Sequence, residues 1–424
     1  MLWINLVDKT GSGLWFSVTA LYFVLVAGLS TGRTGLLLGL GGAVGVAGPP
    51  IAGRLVDRLP ITRVLLGTQI VRATAALLLL VAHGFWALLP LVALGSFGDR
   101  SSSVLTKLYA ARVAGPDRAR YQAVQRTVVN LGYTLGGLAA SAALALGSAG
   151  AYRALLLGDG LSFVLVAFLV SRCAEPPSAG RTVVSRPAPR GGGAAKPGAS
   201  PGAGGRPAVT GPWRDRGYLV YAALDSAMFL YGCALSVGLP LWILTRTTAP
   251  HGLAAAVFVL NTVIVVAFQV RLSRYGRTPL VAAHSMRRVS VWFLISGAAA
   301  ALAVLHARWA ATAAVLAAAV ALTVVEMIQS AVSWELSVAL APAHAQGSYV
   351  GVHGLAQSTA SCLGPLLMTS VVIAAGPVGW LALGAALAAA ALLQRRLVLR
   401  RLDRMAAAAA EDPLSVAPVT VSEQ

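Results

Sequence analysis

Long apolar runs recur along almost the whole sequence. A membrane-spanning helix needs about 20 predominantly apolar residues, and twelve runs are of this kind. The predicted spans are 4–28, 33–53, 63–83, 86–111, 122–148, 152–172, 217–245, 252–272, 279–305, 309–340, 348–374 and 377–394. This pattern predicts an all-helical integral membrane protein, because a membrane barrel would show short segments of alternating polarity.

Composition excludes the common soluble classes. Apolar residues make up 57% of the chain and charged residues 11%, against roughly 25% charged residues in soluble domains. A soluble enzyme of this size would lack a polar surface, and a disordered chain would be poor in apolar residues. The three cysteines are too scattered for a disulfide framework or a metal cluster. No cofactor and no metal are expected. The N-terminus lacks a signal peptide's basic region and cleavage site, so the first run is expected to be retained.

The basic residues indicate topology rather than nucleic-acid binding. The net charge is +19, and most arginines lie at the ends of apolar runs on one side of the predicted spans. That side carries Arg54, Arg58, Arg63, Arg112, Arg118, Arg120, the arginines of 172–216, Arg271, Arg274, Arg277, Arg395, Arg396, Arg400, Arg401 and Arg404. The other side carries Arg33, Arg153, Arg246 and Arg308. Because positive residues stay inside, both termini are predicted to be cytoplasmic, in a multi-pass protein of the plasma (inner) membrane.

The segment between the sixth and seventh spans differs in composition. It contains Pro-Pro, a run of three glycines and several arginines, without apolar periodicity, which is typical of a flexible linker. We therefore predict a six-helix bundle over 1–172, a cytoplasmic linker over 173–216, a second six-helix bundle over 217–396 and a cytoplasmic tail over 397–424.

The two predicted bundles resemble each other in sequence order. Matched features keep a nearly constant offset, with one shift of about ten residues between them. The matched pairs are Asp8 and Asp225, Arg54-Leu55 and Arg271-Leu272, Asp99 and Glu326, Ala114-Gly115-Pro116 and Leu340-Ala341-Pro342, and Gly136-Gly137 and Leu363-Gly364. Two parallel repeats of six spans are a transporter architecture.

The loop after the second span resembles the signature of the major facilitator superfamily. That signature reads Gly-x-Leu-Ala-Asp-Arg-x-Gly-Arg-Arg, with an aliphatic residue beyond it. Gly53, Leu55, Asp57, Arg58 and Leu65 match it, whereas 60–62 depart from it and a basic residue follows one place late. The resemblance covers nearly the whole chain except the linker and tail. It implies a fold of two six-helix bundles whose spans one, four, seven and ten line a central cavity.

The resemblance also implies a gating role for this motif, with Gly53, Asp57 and Arg58 as its residues. In the family, the aspartate helps to lock the cytoplasmic side of the outward-facing state, and a carboxylate is stabilised at a helix N-terminus. The alternative is that Asp57 and Arg58 are solvated loop charges.

Glycines of the fifth span resemble a motif of the family's exporters. Gly132, Gly136 and Gly137 keep its spacing without its proline, and Gly364-Pro365 occurs in the eleventh span instead. The chain resembles the family's exporter-like branch, for drugs or metabolites, more than its sugar importers. Close packing of small residues between helices is the alternative reading.

Charged residues inside spans are costly and usually face a cavity. Asp8, Asp99, Asp225 and Glu326 lie on the four spans that the resemblance assigns to the cavity, and they are the proton-coupling candidates. The alternatives are that Asp8 lies at the interface and that Arg100 neutralises Asp99.

Further residues are candidates for the substrate cavity. Arg100 and Arg126 would attract an anionic substrate or pair with an acid. The aromatic candidates are Trp15, Tyr22, Tyr231 and Trp334, which would otherwise anchor the protein at the membrane interface.

These features predict a secondary active transporter, not an enzyme. The chain contains no Gly-Lys-Ser/Thr phosphate loop, so transport would use an ion gradient or the substrate's own gradient. The first hypothesis is proton-coupled export of a small organic molecule by alternating access of the two bundles. Uptake of a polar metabolite by symport or facilitated diffusion is the second, and a non-transporting sensor or scaffold is the third. We expect a monomer in the lipid bilayer, with a small-molecule substrate, protons and no nucleic acid as its partners.

Overall fold

A computed structural model describes residues 2–16, 18–114, 118–146, 148–176 and 211–411. Most of the predicted linker (177–210), the end of the predicted tail (412–424) and the repeat match at Gly115-Pro116 lie outside the described residues. Within them, the regular structure is helical. The all-helical membrane fold expected from the sequence is thereby confirmed.

Each predicted span corresponds to a helix or a run of helical pieces. In chain order these are α1 (Leu2–Phe16, Thr19–Leu21 and Tyr22–Val26), α2 (Thr31–Gly45 and Gly48–Arg58), α3 (Ile61–Leu79), α4 (Phe85–Ala114), α5 (Arg118–Leu146), α6 (Ala149–Ser171), α7 (Arg216–Met228, Tyr231–Cys233, Ala234–Gly238 and Leu239–Arg246), α8 (Leu253–Leu272 and Ser273–Gly276), α9 (Pro279–Leu302), α10 (Arg308–Ala339), α11 (Gln346–Leu367 and Met368–Ile373) and α12 (Pro377–Glu411). We call α1–α6 the first half and α7–α12 the second half.

Among the described residues, eight helices are long and apolar enough to cross a membrane. The other four are α1, α4, α5 and α9, and each carries charged residues within its length. Three of these four line the cavity described below, so their lower hydropathy reflects polar side chains that face the protein interior. Large apolar side chains are exposed along the outer surface, among them Trp86 and Trp309, each the second residue of its helix.

Side-chain caps and glycines define several helix ends. Ser148, Asp215 and Thr278 accept hydrogen bonds from backbone N–H groups in the first turns of α6, α7 and α9. Gly28 and Gly376, both with φ of 68°, follow the ends of α1 and α11. Their positive φ is a conformation that glycine adopts without steric cost, and it turns the chain into the next helix.

The internal repeat has a structural counterpart in α1 and α7. α1 has a turn at Val18 and α7 has one at Phe229 and Leu230, and both helices then continue through a five-residue π-helical stretch, Tyr22–Val26 and Ala234–Gly238. Such stretches are rare in proteins and occur often at functional sites. Asp8 and Asp225 lie before these interruptions and are both buried.

The helices pack within each half and across a defined contact between halves. In the first half α1 packs on α5 and α6, and in the second half α7 packs on α11 and α12. Across the halves, the second piece of α2 packs on α11, and α5 packs on α8 and α10. We call the face that carries the start of α1, the end of α12 and the connections 59–60 and 340–345 the terminal face. An apolar cluster near it includes Ala52 and Val56 from the first half with Val338 and Val350 from the second.

Candidate functional site

At the terminal face, α2 and α11 touch through glycines. A Cβ atom on Gly53 would lie 2.2 Å from the carbonyl oxygen of Gly347 and 3.1 Å from Cα of Gly351. On Gly351, a Cβ atom would lie 2.6 Å from the carbonyl oxygen of Pro49. The two backbones are therefore in direct contact, and only glycine fits at these positions without displacing a helix.

Asp57 joins the same two helices through hydrogen bonds. Its carboxylate accepts the backbone N–H groups of Gly347 and Ser348, both at 2.8 Å, and the hydroxyl of Ser348. These N–H groups belong to the first turn of α11, which has no partner for them within the helix. A negative charge also suits the positive end of the helix dipole. Arg58, the next residue, is exposed.

A cavity of about 430 Å³ lies between the two halves. Its walls come from α1, α4 and α5 of the first half and from α7, α10 and α11 of the second. Of the predicted candidates it is lined by Asp8, Asp99, Arg126, Tyr231 and Trp334. The remaining lining is mostly polar and includes Asn5, Lys9, Ser102, Lys107, Gln122, Gln125, Gln329, Ser333 and Gln357.

An ion pair that includes Arg126 of the cavity wall joins one half to the other. Arg126 of α5 is hydrogen-bonded to the Glu326 carboxylate of α10. The side-chain amide of Asn261 on α8 donates to the other oxygen of Glu326 at 2.7 Å. Of the two alternatives for Arg126, the structure places it against an acid.

In the first half, charged residues form a compact cluster around Arg72. This guanidinium is buried, and it lies 2.6 Å from Oδ1 of Asp8 and 3.1 Å from Oδ1 of Asp99. Lys9 lies 2.9 Å from the other oxygen of Asp8. Gln69 and Ser12 also accept hydrogen bonds from Arg72. We call Asp8, Lys9, Arg72 and Asp99 the α1–α4 charge cluster.

In the second half, Asp225 is surrounded by hydrogen-bonding side chains. The carboxylate accepts hydrogen bonds from Nε2 of Gln329 at 2.9 Å and from Oγ of Ser333 at 2.7 Å. Nε2 of His353 lies 2.8 Å from the same carboxylate. Gln357 and Gln394 reach it at 3.5 and 3.4 Å. Sequence reasoning did not identify His353. The sequence does carry a sign of it, because a histidine lies inside the apolar run of the eleventh span. In the structure, the His353 ring stacks on that of Tyr221.

Two carboxylates outside the spans fasten the terminal face. Burial raises the pKa of Glu175, but hydrogen bonds from the Thr62 hydroxyl and from the backbone of Thr62 and Ile61 outweigh it and hold the pKa below its usual value. Burial likewise raises the pKa of Asp215, but hydrogen bonds from Arg401 and the backbone of Tyr218 outweigh it, so the pKa is lowered. Arg401 binds both oxygens of Asp215, at 2.9 and 2.8 Å.

The remaining predicted cavity residues lie away from the central cavity. Nη1 of Arg100 donates to the backbone carbonyl of Ser358 in the second half, at 3.0 Å. Trp15 lines a separate pocket within the first half. Tyr22 is buried, and its hydroxyl donates to the carbonyl of Leu79 at 3.1 Å.

The glycines of the predicted exporter-like motif lie at helix contacts. Gly132 and Gly136 of α5 pack directly on α1, and a Cβ atom on Gly136 would lie 2.3 Å from the carbonyl of Thr10. Gly137 is half-buried. In the second half, Gly364 packs against Cys233, and Pro365 lies within the helical piece that precedes the π-helical end of α11. Over the described part of the chain, no group of three or more histidine, cysteine or acidic residues is placed to hold a metal.

Comparison with known proteins identifies the family to which this architecture belongs. A sequence profile described as Major Facilitator Superfamily matches residues 6–365. Among curated proteins, no sequence match is found. A solved structure of a bacterial homologue of the iron transporter ferroportin, outward-facing and with soaked iron, is 15% identical with a TM-score of 0.66, and the match covers 94% of this chain and 98% of that one.

A second structure is the human organic anion transporter MFSD10 (TETRAN). It is 16% identical with a TM-score of 0.57, over 94% of this chain and 96% of that chain. At such identities the structural likeness concerns the fold alone, whereas the profile match covers most of the chain's sequence. This chain therefore belongs to the major facilitator superfamily, a family of membrane transporters.

Proposed function

We propose that this protein is a secondary active transporter that exports a small organic molecule in exchange for protons. The observation that carries the proposal is the shared use of three side chains. Gln329, Ser333 and Gln357 line the central cavity, and the same side chains donate hydrogen bonds to the buried Asp225. Whatever fills the cavity therefore competes with Asp225 for the same donors.

Protonation of Asp225 would change these donors directly. An ionised carboxylate only accepts hydrogen bonds, whereas a protonated one donates through its hydroxyl. On taking up a proton, Asp225 needs fewer donors, and Gln329, Ser333 and Gln357 become available to a substrate. His353 lies within hydrogen-bond distance of the same carboxylate and is a second place for the proton. Substrate and proton binding are then linked through one set of side chains.

Alternating access follows from the contacts between the halves. We propose that the two bundles, 1–172 and 217–396, rock about the central cavity and that the tail after 396 lies in the cytoplasm. The glycine contact of α2 with α11 and the bonds of Asp57 close the terminal face. With the termini in the cytoplasm, as the arginine distribution favours, the closed face is cytoplasmic, and this conformation corresponds to the outward-facing state. The proposal further places the protein, as a monomer, in the plasma (inner) membrane.

Proton flux in liposomes tests the proposal. A panel of organic cations, anions and neutral compounds is first screened by thermal shift, because a ligand raises apparent stability. Each hit is then tested with proteoliposomes that contain the reconstituted protein and carry a pH-sensitive dye in their lumen. We expect an outward substrate gradient to drive protons inward. Asp225→Asn should retain substrate exchange and lose proton-driven accumulation, and Asp403→Asn, at an exposed carboxylate, should behave as wild type.

Three other results would contradict the proposal. Substrate and protons that move in the same direction would indicate symport and uptake. Accumulation by Asp225→Asn equal to that of wild type would remove the coupling role of this residue. Reconstituted protein that binds a compound but does not move it would indicate a sensor.

A further inference from the structure

A second pocket lies inside the first half, on the other side of the α1–α4 charge cluster from the central cavity. Its volume is about 250 Å³, and Asp99 and Tyr133 line both spaces. Most of its wall is apolar, from side chains of α1 to α4 and α6. The aromatic rings of Trp15 and Phe163 contribute to this wall. A pocket of this kind, apolar with few polar groups, is typical of small-molecule sites.

The charges around this pocket do not balance. Asp8, Asp99 and Asp159 supply three carboxylates, and Lys9 and Arg72 supply two cations. Both cations already make their close contacts with Asp8 and Asp99. One negative charge, that of Asp159, is therefore left over.

Asp159 is buried, with 3% of its surface exposed. Its Oδ1 atom has no hydrogen-bond partner, and the residue lines the pocket. An ionised carboxylate without a partner in an apolar setting is strongly unfavourable, and charged groups inside membrane proteins are normally paired. A carboxyl group in this position must either hold a proton or face a positive charge, so Asp159 can serve as the counter-charge of a cation inside the pocket.

We propose that the pocket of the first half binds a small organic cation with an apolar body, with Asp159 as its counter-charge. The apolar wall fits the body of such a ligand, and aromatic rings attract cations through their faces. One of the rings, Phe163, already carries the Arg72 guanidinium 3.9 Å from its centroid. An anion would meet the surplus negative charge and is excluded. This pocket is a second space beside the central cavity, so the inference goes beyond the proposed transport function.

Equilibrium binding to the purified full-length protein in detergent tests the inference without requiring transport. The probe is benzyltrimethylammonium, whose charge is independent of pH, and benzenesulfonate is the anionic counterpart. We expect saturable binding of the cation and none of the sulfonate. Asp159→Asn removes the charge with little change in shape and should weaken cation binding at least tenfold. Asp403→Asn is the matched control and should bind as wild type.

A second variant addresses the pocket rather than its charge. Gly95 lines the pocket, and a Cβ atom there would meet no atom within 4 Å. Gly95→Leu should therefore fill the pocket and abolish cation binding while the α1–α4 charge cluster remains.

Equal affinity of wild type and Asp159→Asn for the cation would overturn the inference, as would binding of benzenesulfonate or unchanged binding by Gly95→Leu. Absence of cation binding to wild type would also overturn it and would leave a proton as the counter-charge of Asp159. None of these results affects the test of the transport function, which depends on Asp225 and on flux measurements.

Discussion

Asp57 accepts the backbone N–H of Ser348 at 2.8 Å, so a carboxylate from the first half caps the first turn of a helix in the second half. This single side chain makes three hydrogen bonds across the halves. In the proposed rocking motion, these hydrogen bonds must break before the terminal face can open.

Asp57→Asn should weaken this closure and lower turnover. The amide keeps one acceptor oxygen, loses the negative charge at the helix N-terminus, and replaces charge-assisted bonds with neutral ones, which are weaker by about 1–2 kcal/mol. The measurement is the distance between spin labels at Leu59 and His344, two exposed positions, in a background without the native cysteines. We expect a larger open fraction in the variant. An unchanged distance distribution and unchanged turnover in a well-folded variant would refute the gating role.

Gly53→Ala should open the same face by a different cause. The added methyl group would lie 2.2 Å from the carbonyl oxygen of Gly347, so α2 and α11 must separate. The same pair of labels should report a longer distance, and transport should fall. Gly42→Ala, in the first piece of α2 with no atom within 4 Å of its Cβ position, is the matched control and should change neither. Normal closure of Gly53→Ala would show that the helices can adjust without cost.

Arg126→Gln and Glu326→Gln should each be more harmful than the two changes together. Each single change leaves a partly buried charge without its partner, at a cost of about 1–3 kcal/mol. The double variant instead leaves a neutral pair. The thermal midpoint of the purified protein measures the effect, and a double-mutant cycle isolates the coupling. Arg153→Gln, at an exposed residue, serves as the control. Additive losses in the double variant would show that the pair contributes nothing of its own.

Arg401→Gln should reduce stability at neutral pH and much less in acid. The pKa of Asp215 is lowered in the folded protein, so its contribution is present above the ordinary aspartate value of about 3.9 and disappears as the pH falls through the folded-state value. A bidentate pair at the surface contributes about 1 kcal/mol. The measurement is the thermal midpoint of wild type and of Arg401→Gln at about pH 7 and below about pH 4. The difference between the two proteins should be smaller in acid. Arg400→Gln, at an exposed neighbour, should show no such pattern.

Much of the architecture could be predicted because span length and arginine placement are local properties of the sequence. The helices overlap the twelve apolar runs, and the family signature lies at the contact between α2 and α11. The partners of charged residues could not be predicted in the same way. Arg126 meets Glu326 because two helices face each other across the halves, and their rotation is set by packing along their whole length.

The interruptions of α1 and α7 also escaped prediction. Apolar periodicity does not distinguish an α-helix from a short π-helical stretch, so the breaks before Tyr22 and Ala234 leave no pattern. His353 had a readable signal, since a histidine in an apolar run is unusual, but its carboxylate partner lies 128 residues away. Asp159 lies inside the sixth predicted span, and only the structure shows that its Oδ1 atom has no hydrogen-bond partner.

The ion pair between Arg126 and Glu326 also has a consequence for biosynthesis. The two residues are 200 positions apart. At roughly 5–20 residues per second, the glutamate leaves the ribosome about 10–40 s after the arginine. During that interval α5 carries a charge whose partner has not been made. The nascent first half must therefore keep Arg126 near water or near lipid headgroups until α10 arrives, and only then can the ion pair form between the halves.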